Sequence, residues 1–162
     1  MAEYVQETFG IPTIVSYTTR PMRDNEQQGK EHIFVSDSQM PPMEEMMAFT
    51  EFGGYKYWAT HNQIPEQKIC TYVIDEKGLF MLSKKYGYLY SIFTILVKMD
   101  SDKLQADSSR IERDNDRIAL DETEYQLVIT NNGTLDEFLQ NVKQILENEF
   151  KNNPIFSQFN IQ

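Results

Sequence analysis

The chain has 162 residues, with 15 Lys and Arg against 25 Asp and Glu, and one cysteine, Cys70. A net charge of −10 and a 40% hydrophobic share exclude a disordered chain, a broad basic face for nucleic acid and docking on anionic lipid. A lone cysteine excludes an intrachain disulfide and a cysteine metal cluster, and no apolar run reaches the ~18 residues of a membrane span. The expectation is a reduced, cytoplasmic protein without a signal peptide, folded as a single domain over residues 1–162. The acidity is uneven: from Asp100 onward 13 acidic residues face 6 basic ones, whereas the first thirty residues are nearly balanced. An anion site on this chain must therefore be a local pocket and not a charged face.

Residues 2–9 read as the last turns of a helix closed by Gly10 and Pro12, with no capping residue before them. Thr13-Ile14-Val15-Ser16-Tyr17 is a short β-branched strand, followed by a polar loop. A strand-rich middle segment comes next, with a strand at 32–35 and a Gly53-Gly54 hairpin between Phe52 and Tyr57. Pro41, Pro42 and the methionines of 40–47 predict a short Met-rich helix that fills core. Residues 70–74, 92–99 and 127–130 are apolar runs without clean alternation, as in buried parallel strands. Helices fit between them over 79–86 and, behind a Ser109/Glu112 capping box, over 109–121. The last helix carries the strongest signal: Thr134 and Glu137 make a capping box, and Leu135, Phe138, Leu139, Val142, Ile145, Leu146 and Phe150 share one face. The tail keeps Ile155, Phe156, Phe159 and Ile161 and is expected to pack. Strand–helix alternation outside the middle segment predicts an α/β domain with a mostly parallel sheet.

Chemistry concentrates in Ser16-Tyr17-Thr18-Thr19-Arg20-Pro21-Met22-Arg23-Asp24-Asn25-Glu26-Gln27-Gln28-Gly29. Two guanidiniums stand three residues apart straight after a strand, with hydroxyls beside them. Arginine suits forked contact with phosphate oxygens, and a strand end fixes its base. A solvated polar turn is the competing reading. His32, His61 and Cys70 lack metal-ligand spacing, so no metal site is expected, and the serines lack a nucleophile elbow.

The pattern Ser-x-Thr-Thr-Arg-x-x-Arg-x-x-Glu-x-x-Gly resembles the nucleotide-monophosphate site of guanylate kinases. The resemblance continues through Phe34-Val35, Tyr55-x-Tyr57, Asp75-x-x-Gly78, Arg110-Ile111 and the strand from Glu124 to Asn131, in the family's order. It implies a P-loop nucleoside-monophosphate-kinase type of α/β fold, with a parallel sheet, a small β-rich monophosphate-binding insertion at about 32–60 and a lid region at about 104–120. It implies that Ser16, Arg20, Arg23 and Tyr57 hold the substrate phosphate. Glu26 and Asp75 would sit near the nucleoside or the reacting phosphates, and Arg110 would face the donor, which makes Arg110 and Asp75 the implied catalytic residues. His32 stands where the family has a phosphate-contacting tyrosine, and two readings stay open for it: a hydrogen-bonded strand histidine, or a protonated phosphate ligand.

The departures bear on function. The family's guanine-reading Glu aligns with Ala48, its hydroxyl residue after the hairpin with Ala59, a usual Gly with Trp58, and a strand aspartate with Val73. Gly-x-x-x-x-Gly-Lys-[Ser/Thr], whose amides and Lys would cradle the phosphates of ATP, occurs nowhere in these residues, so the first strand and P-loop of the implied fold are missing. The leading expectation is a binding module for a GMP-like nucleoside monophosphate, phosphate or sulfate, without nucleic-acid or membrane partners and without a cofactor. The alternative is a truncated guanylate kinase that uses ATP and Mg²⁺ through an upstream P-loop. The gap left by a missing strand is expected to be closed by direct pairing of the flanking strands, or covered by the apolar tail around Phe156 and Phe159 or by a second subunit in a homodimer.

Overall fold

A computed structural model describes residues 1–66, 69–99, 120–157 and 159. The chain forms two compact units, one built from residues 11–90 and the other from residues 3–10 and from 91 onward.

The unit of residues 11–90 holds two sheets. In the smaller, β1 (Thr13–Ile14) lies parallel to β6 (Thr71–Tyr72), and the hydroxyls of Thr13 and Thr71 meet at 2.7 Å. The larger has the order β3–β2–β5–β4, with β2 (Tyr17–Thr18), β3 (Ile33–Phe34), β4 (Met46–Phe52) and β5 (Tyr55–Thr60). The run expected as one strand over 13–17 is thus two short strands serving two sheets. β2 and β3 are parallel, which demands a crossover of roughly a dozen residues; the polar loop 19–32 is that crossover. Gln28 fixes its far end, since its amide donates to the Phe34 carbonyl and accepts from the Phe34 N–H.

β4 and β5 form the expected hairpin, turning at Gly53 and Gly54 with φ of 59° and 77°, which only glycine adopts without strain. The methionine segment departs from expectation. Only Met43–Glu45 makes a helical turn, of 3₁₀ type, and Met46 and Met47 belong to β4. The reason is a bulge between Met46 and Ala48 that buries three consecutive residues on one strand, erasing the alternation that marks a strand in sequence. Trp58 is 1% exposed and stacks on Tyr17, ring centroids 5.6 Å apart.

Helix α2 (Glu76–Tyr86) begins three residues before the expected 79 because Asp75 is its N-cap. The Asp75 carboxylate accepts from the Gly78 N–H at 2.8 Å, and from the Thr50 hydroxyl of β4 at 2.6 Å. A Cβ on Gly78 would lie 2.7 Å from Ile74 Cγ1 and 3.1 Å from Asp75 Oδ1, so the Asp-x-x-Gly spacing is a packing requirement. At the other end of α2, Lys85 Nζ donates to the carbonyls of Met43, Glu44 and Met46. Between α2 and the sheets, Ile14, Met47 and Ala59 are buried with Ile64, Cys70, Tyr72, Leu82 and Tyr86 around them.

In the other unit, β7 (Ile95–Lys98) pairs in parallel with β8 (Leu127–Thr130), the strand expected at 127–130. Helix α3 (Leu135–Asn152) opens with the expected Thr134/Glu137 capping box, a device worth about 1 kcal/mol. It buries Phe138, Val142 and Leu146, whereas Leu135, expected on the same face, is exposed. Helix α1 (Ala2–Phe9) ends at Gly10 as expected, and its Phe9 meets Phe150 edge to face at 5.1 Å. Phe156 of the tail packs on Phe150 and Phe93 at 5.1 and 5.2 Å. The expected helix over 109–121 and the lid region lie outside the described residues, apart from Leu120 and Asp121, which lead into a 3₁₀ turn at Glu122–Glu124. No helix among the described residues is long and apolar enough to cross a membrane.

Candidate functional site

The site grows out of the end of β2. Thr18 Oγ1 accepts from the Arg20 N–H, and Thr19 is held to Lys56 of β5 by two hydrogen bonds, Thr19 N–H to the Lys56 carbonyl and Lys56 N–H to Thr19 Oγ1. These contacts stiffen the base of the crossover loop where Arg20 leaves the sheet. A tight turn then brings the Glu26 N–H onto the Arg23 carbonyl at 3.0 Å, while the Glu26 carboxylate accepts from the Arg23 N–H at 2.9 Å.

Arg20 and Glu26 form a two-pronged pair, with NH1 and NH2 donating to the two carboxylate oxygens at 3.0 and 2.7 Å. Their side chains are 11% and 9% exposed, so the pair is sheltered on all but one side. NH1 also donates to the Pro21 carbonyl, and the guanidinium lies 5.4 Å from the centroid of the Phe34 ring. Three of the five guanidinium N–H groups are committed to these contacts, and Tyr57 stands within hydrogen-bonding reach of Arg20. Arg23 approaches Glu26 at 3.8 Å and is otherwise directed to solvent, its side chain 63% exposed.

The Glu26 carboxyl is held at about 2, first by its hydrogen bond from Arg20 and then by the Arg23 backbone. The sign follows: its folded pKa lies below the ordinary value of 4.5, so the loop's stabilisation by this carboxylate is complete above pH 4.5 and lost only as the pH falls through about 2. We expect a carbon-detected NMR titration to find the Glu26 midpoint near 2 in the intact chain and displaced upward in Arg20→Ala. A midpoint near 4.5 in the intact chain would exclude the pair in solution.

His32 precedes β3 and borders this pair. Its ring packs against Phe34 and Tyr57, with centroids 5.9 and 5.6 Å apart. Its Nδ1 is buried and has no hydrogen-bond partner. Burial, then the positive charge of Arg20, hold its pKa below the ordinary imidazole value.

Of the residues singled out in the sequence, Arg20, Arg23, Glu26, His32 and Tyr57 come together at this one place. Ser16 and Asp75 are reached through a residue the sequence reading passed over, Tyr72. Its pKa is raised by burial; the Ser16 side chain hydrogen-bonds to it, and the Asp75 charge acts on it. Thr50, the hydroxyl on Asp75, is the cross-strand partner of Tyr57. The only sequence signal for Tyr72 is a phenolic hydroxyl beside Thr71 in an otherwise apolar run. Ala48 and Ala59, at the base-reading positions, face each other across β4 and β5 and are buried. Arg110 lies outside the described residues.

The sequence model of the guanylate kinase family matches residues 1–149. The chain belongs to the guanylate kinase family. Solved structures support the fold: the crystal structure of guanylate kinase from Anaplasma phagocytophilum superposes with a TM-score of 0.66 at 20% identity, covering 91% of this chain and 78% of that one. No protein of curated function matches the chain. The mixed α/β fold with parallel strand pairs expected from the sequence is therefore that of the family.

Proposed function

We propose that this family member is a monophosphate-binding module that recognises the phosphate of a nucleoside monophosphate, of the GMP type, at the loop 19–32. The observation that carries this reading is the gathering of Arg23, His32 and Tyr57 around the sheltered Arg20–Glu26 pair. Glu26 holds the guanidinium in place while N–H groups beyond the fork, with Arg23 and Tyr57, meet phosphate oxygens. Asp75 is tied to the Tyr57 strand pair through Thr50, and both Ser16 and Asp75 act on the buried Tyr72.

In this sequence we read no Gly-x-x-x-x-Gly-Lys-[Ser/Thr] cradle for the phosphates of ATP. Gly29 is the one glycine followed by lysine, and the Gly29 and Lys30 amides are spent inside the loop, on the His32 and Gln27 carbonyls. We therefore read the 162-residue polypeptide as unable to position a phosphoryl donor, because phosphoryl transfer rests on positioning and charge stabilisation of that donor. Purified as these residues, it should bind GMP by calorimetry and show no ATP- and Mg²⁺-dependent turnover in a coupled assay. Turnover above a control preparation would favour the kinase reading instead, and absence of GMP binding would remove the pocket.

Base choice follows from the two alanines. A buried pair of methyl groups offers no hydrogen-bond partner to the guanine edge, and a site without such partners discriminates weakly. GMP should not be preferred over AMP by more than about 1.4 kcal/mol, a factor of about ten. A competition titration with a larger GMP preference would show that another side chain reads the base.

A further inference from the structure

The one buried polar side-chain atom left without a partner among the described residues is Nδ1 of His32, and it borders the Arg20–Glu26 pair. An unpaired buried ring nitrogen costs stability and is not retained by packing alone, since a phenyl ring would fill the same space between Phe34 and Tyr57. We propose that His32 is a proton-coupled phosphate ligand: when a phosphate dianion enters beside Arg20 and Tyr57, the imidazole takes up a proton from solvent and Nδ1–H donates to a phosphate oxygen.

The charges around the ring explain why the proton arrives with the ligand. Arg20 faces it from the end of β2, Glu26 and Glu31 from the crossover loop, and the Tyr57 ring from β5. The Ser16 backbone, through a hydrogen bond to the ring, works against burial and Arg20 and favours the charged form. Arg20 and Arg23 are offset by Glu26 and by Glu31, which the Gln27 N–H holds nearby, so the pocket is close to neutral. Burial and Arg20 then favour the uncharged ring. A dianion reverses that balance. Two negative charges arrive in a sheltered space, and a proton on His32 compensates one of them and converts the orphan nitrogen into a charge-assisted donor. The sign is fixed by this order: a ligand that raises the ring's pKa binds most tightly below the free-state value, and its affinity falls as the pH rises through the bound-state value.

The inference rests on the phosphate-pocket reading, and the test separates the two. Inorganic sulfate stays a dianion between pH 6 and pH 8.5, so any pH dependence of its binding belongs to the protein, whereas GMP titrates in the same range. The full chain is titrated with sulfate and with GMP while ¹⁵N-detected imidazole spectra follow its two histidines, assigned with His61→Gln. We expect the His32 pKa to rise by about one unit or more on saturation, and sulfate affinity to fall about tenfold from pH 6 to pH 8.5. His61→Gln should keep that dependence, and His32→Gln should reduce it to less than about twofold. If either anion binds while the His32 titration stays unmoved, or if His32→Gln keeps the full pH dependence, the proton coupling is wrong and the pocket stands. If neither anion binds at any pH, the pocket reading falls and this inference falls with it.

Discussion

Replacing Arg20 with alanine is expected to weaken monophosphate binding ten- to a hundredfold in calorimetry, the equivalent of about 1.5–3 kcal/mol for a charge-assisted contact. The loss has two sources. In the proposed binding mode the guanidinium itself contacts the ligand, and its removal leaves the Glu26 carboxylate held only by the Arg23 backbone and a solvent-facing Arg23 side chain. A carboxylate stripped of its forked partner would then stand beside the proposed anion position. Arg20→Lys should fall short of rescue, because an ammonium cannot span both Glu26 oxygens and the Pro21 carbonyl in one plane. Equal affinity in Arg20→Ala would show that the anion binds elsewhere.

The largest stability effect is expected at Trp58, where truncation to alanine should cost about 3–5 kcal/mol. Trp58 is 1% exposed, stacks on Tyr17 of β2 and lies opposite Phe49 of β4, so one side chain joins three neighbouring strands. The adjacent Tyr57 lines the proposed phosphate site, and its position depends on that anchoring. Urea unfolding should be followed by circular dichroism, because Trp58 is the chain's only tryptophan and its fluorescence leaves with it. A loss below about 1 kcal/mol would mean that the strands close over the vacated space.

The parts of the fold legible in the sequence were those set by local rules. The α3 capping box, the Gly53-Gly54 turn and β8 were read in place because capping, positive φ and β-branching act within a few residues. The Met40–Met47 stretch was misread because a bulge makes three neighbours point inward, and a bulge is decided by the partner strand. Asp75 was noticed through its spacing to Gly78, yet its role as N-cap, which moves the start of α2 to Glu76, went unread. The same division holds at the site. Spacing in the loop made Arg20, Arg23 and Glu26 visible. That Glu26 would occupy the fork of Arg20 was not, since the pair meets only through a turn at 23–26 that no periodicity announces. Tyr72 was invisible because its hydroxyl matters only once β6 is placed beside β1.

Helix α2 is moored to the hairpin sheet at both ends, by Asp75 on Thr50 and by Lys85 on three carbonyls ahead of and within β4. These two moorings sit ten positions apart on the helix, a lever of ~15 Å. One attachment would permit the helix to swivel; two at that separation remove the swivel and leave the sheet and helix a single plate. The amides of α2 and β4 should then exchange with solvent through one shared opening event. Cutting either mooring would create a hinge in a part of the molecule that has none, and the wall carrying Tyr57 would turn with it.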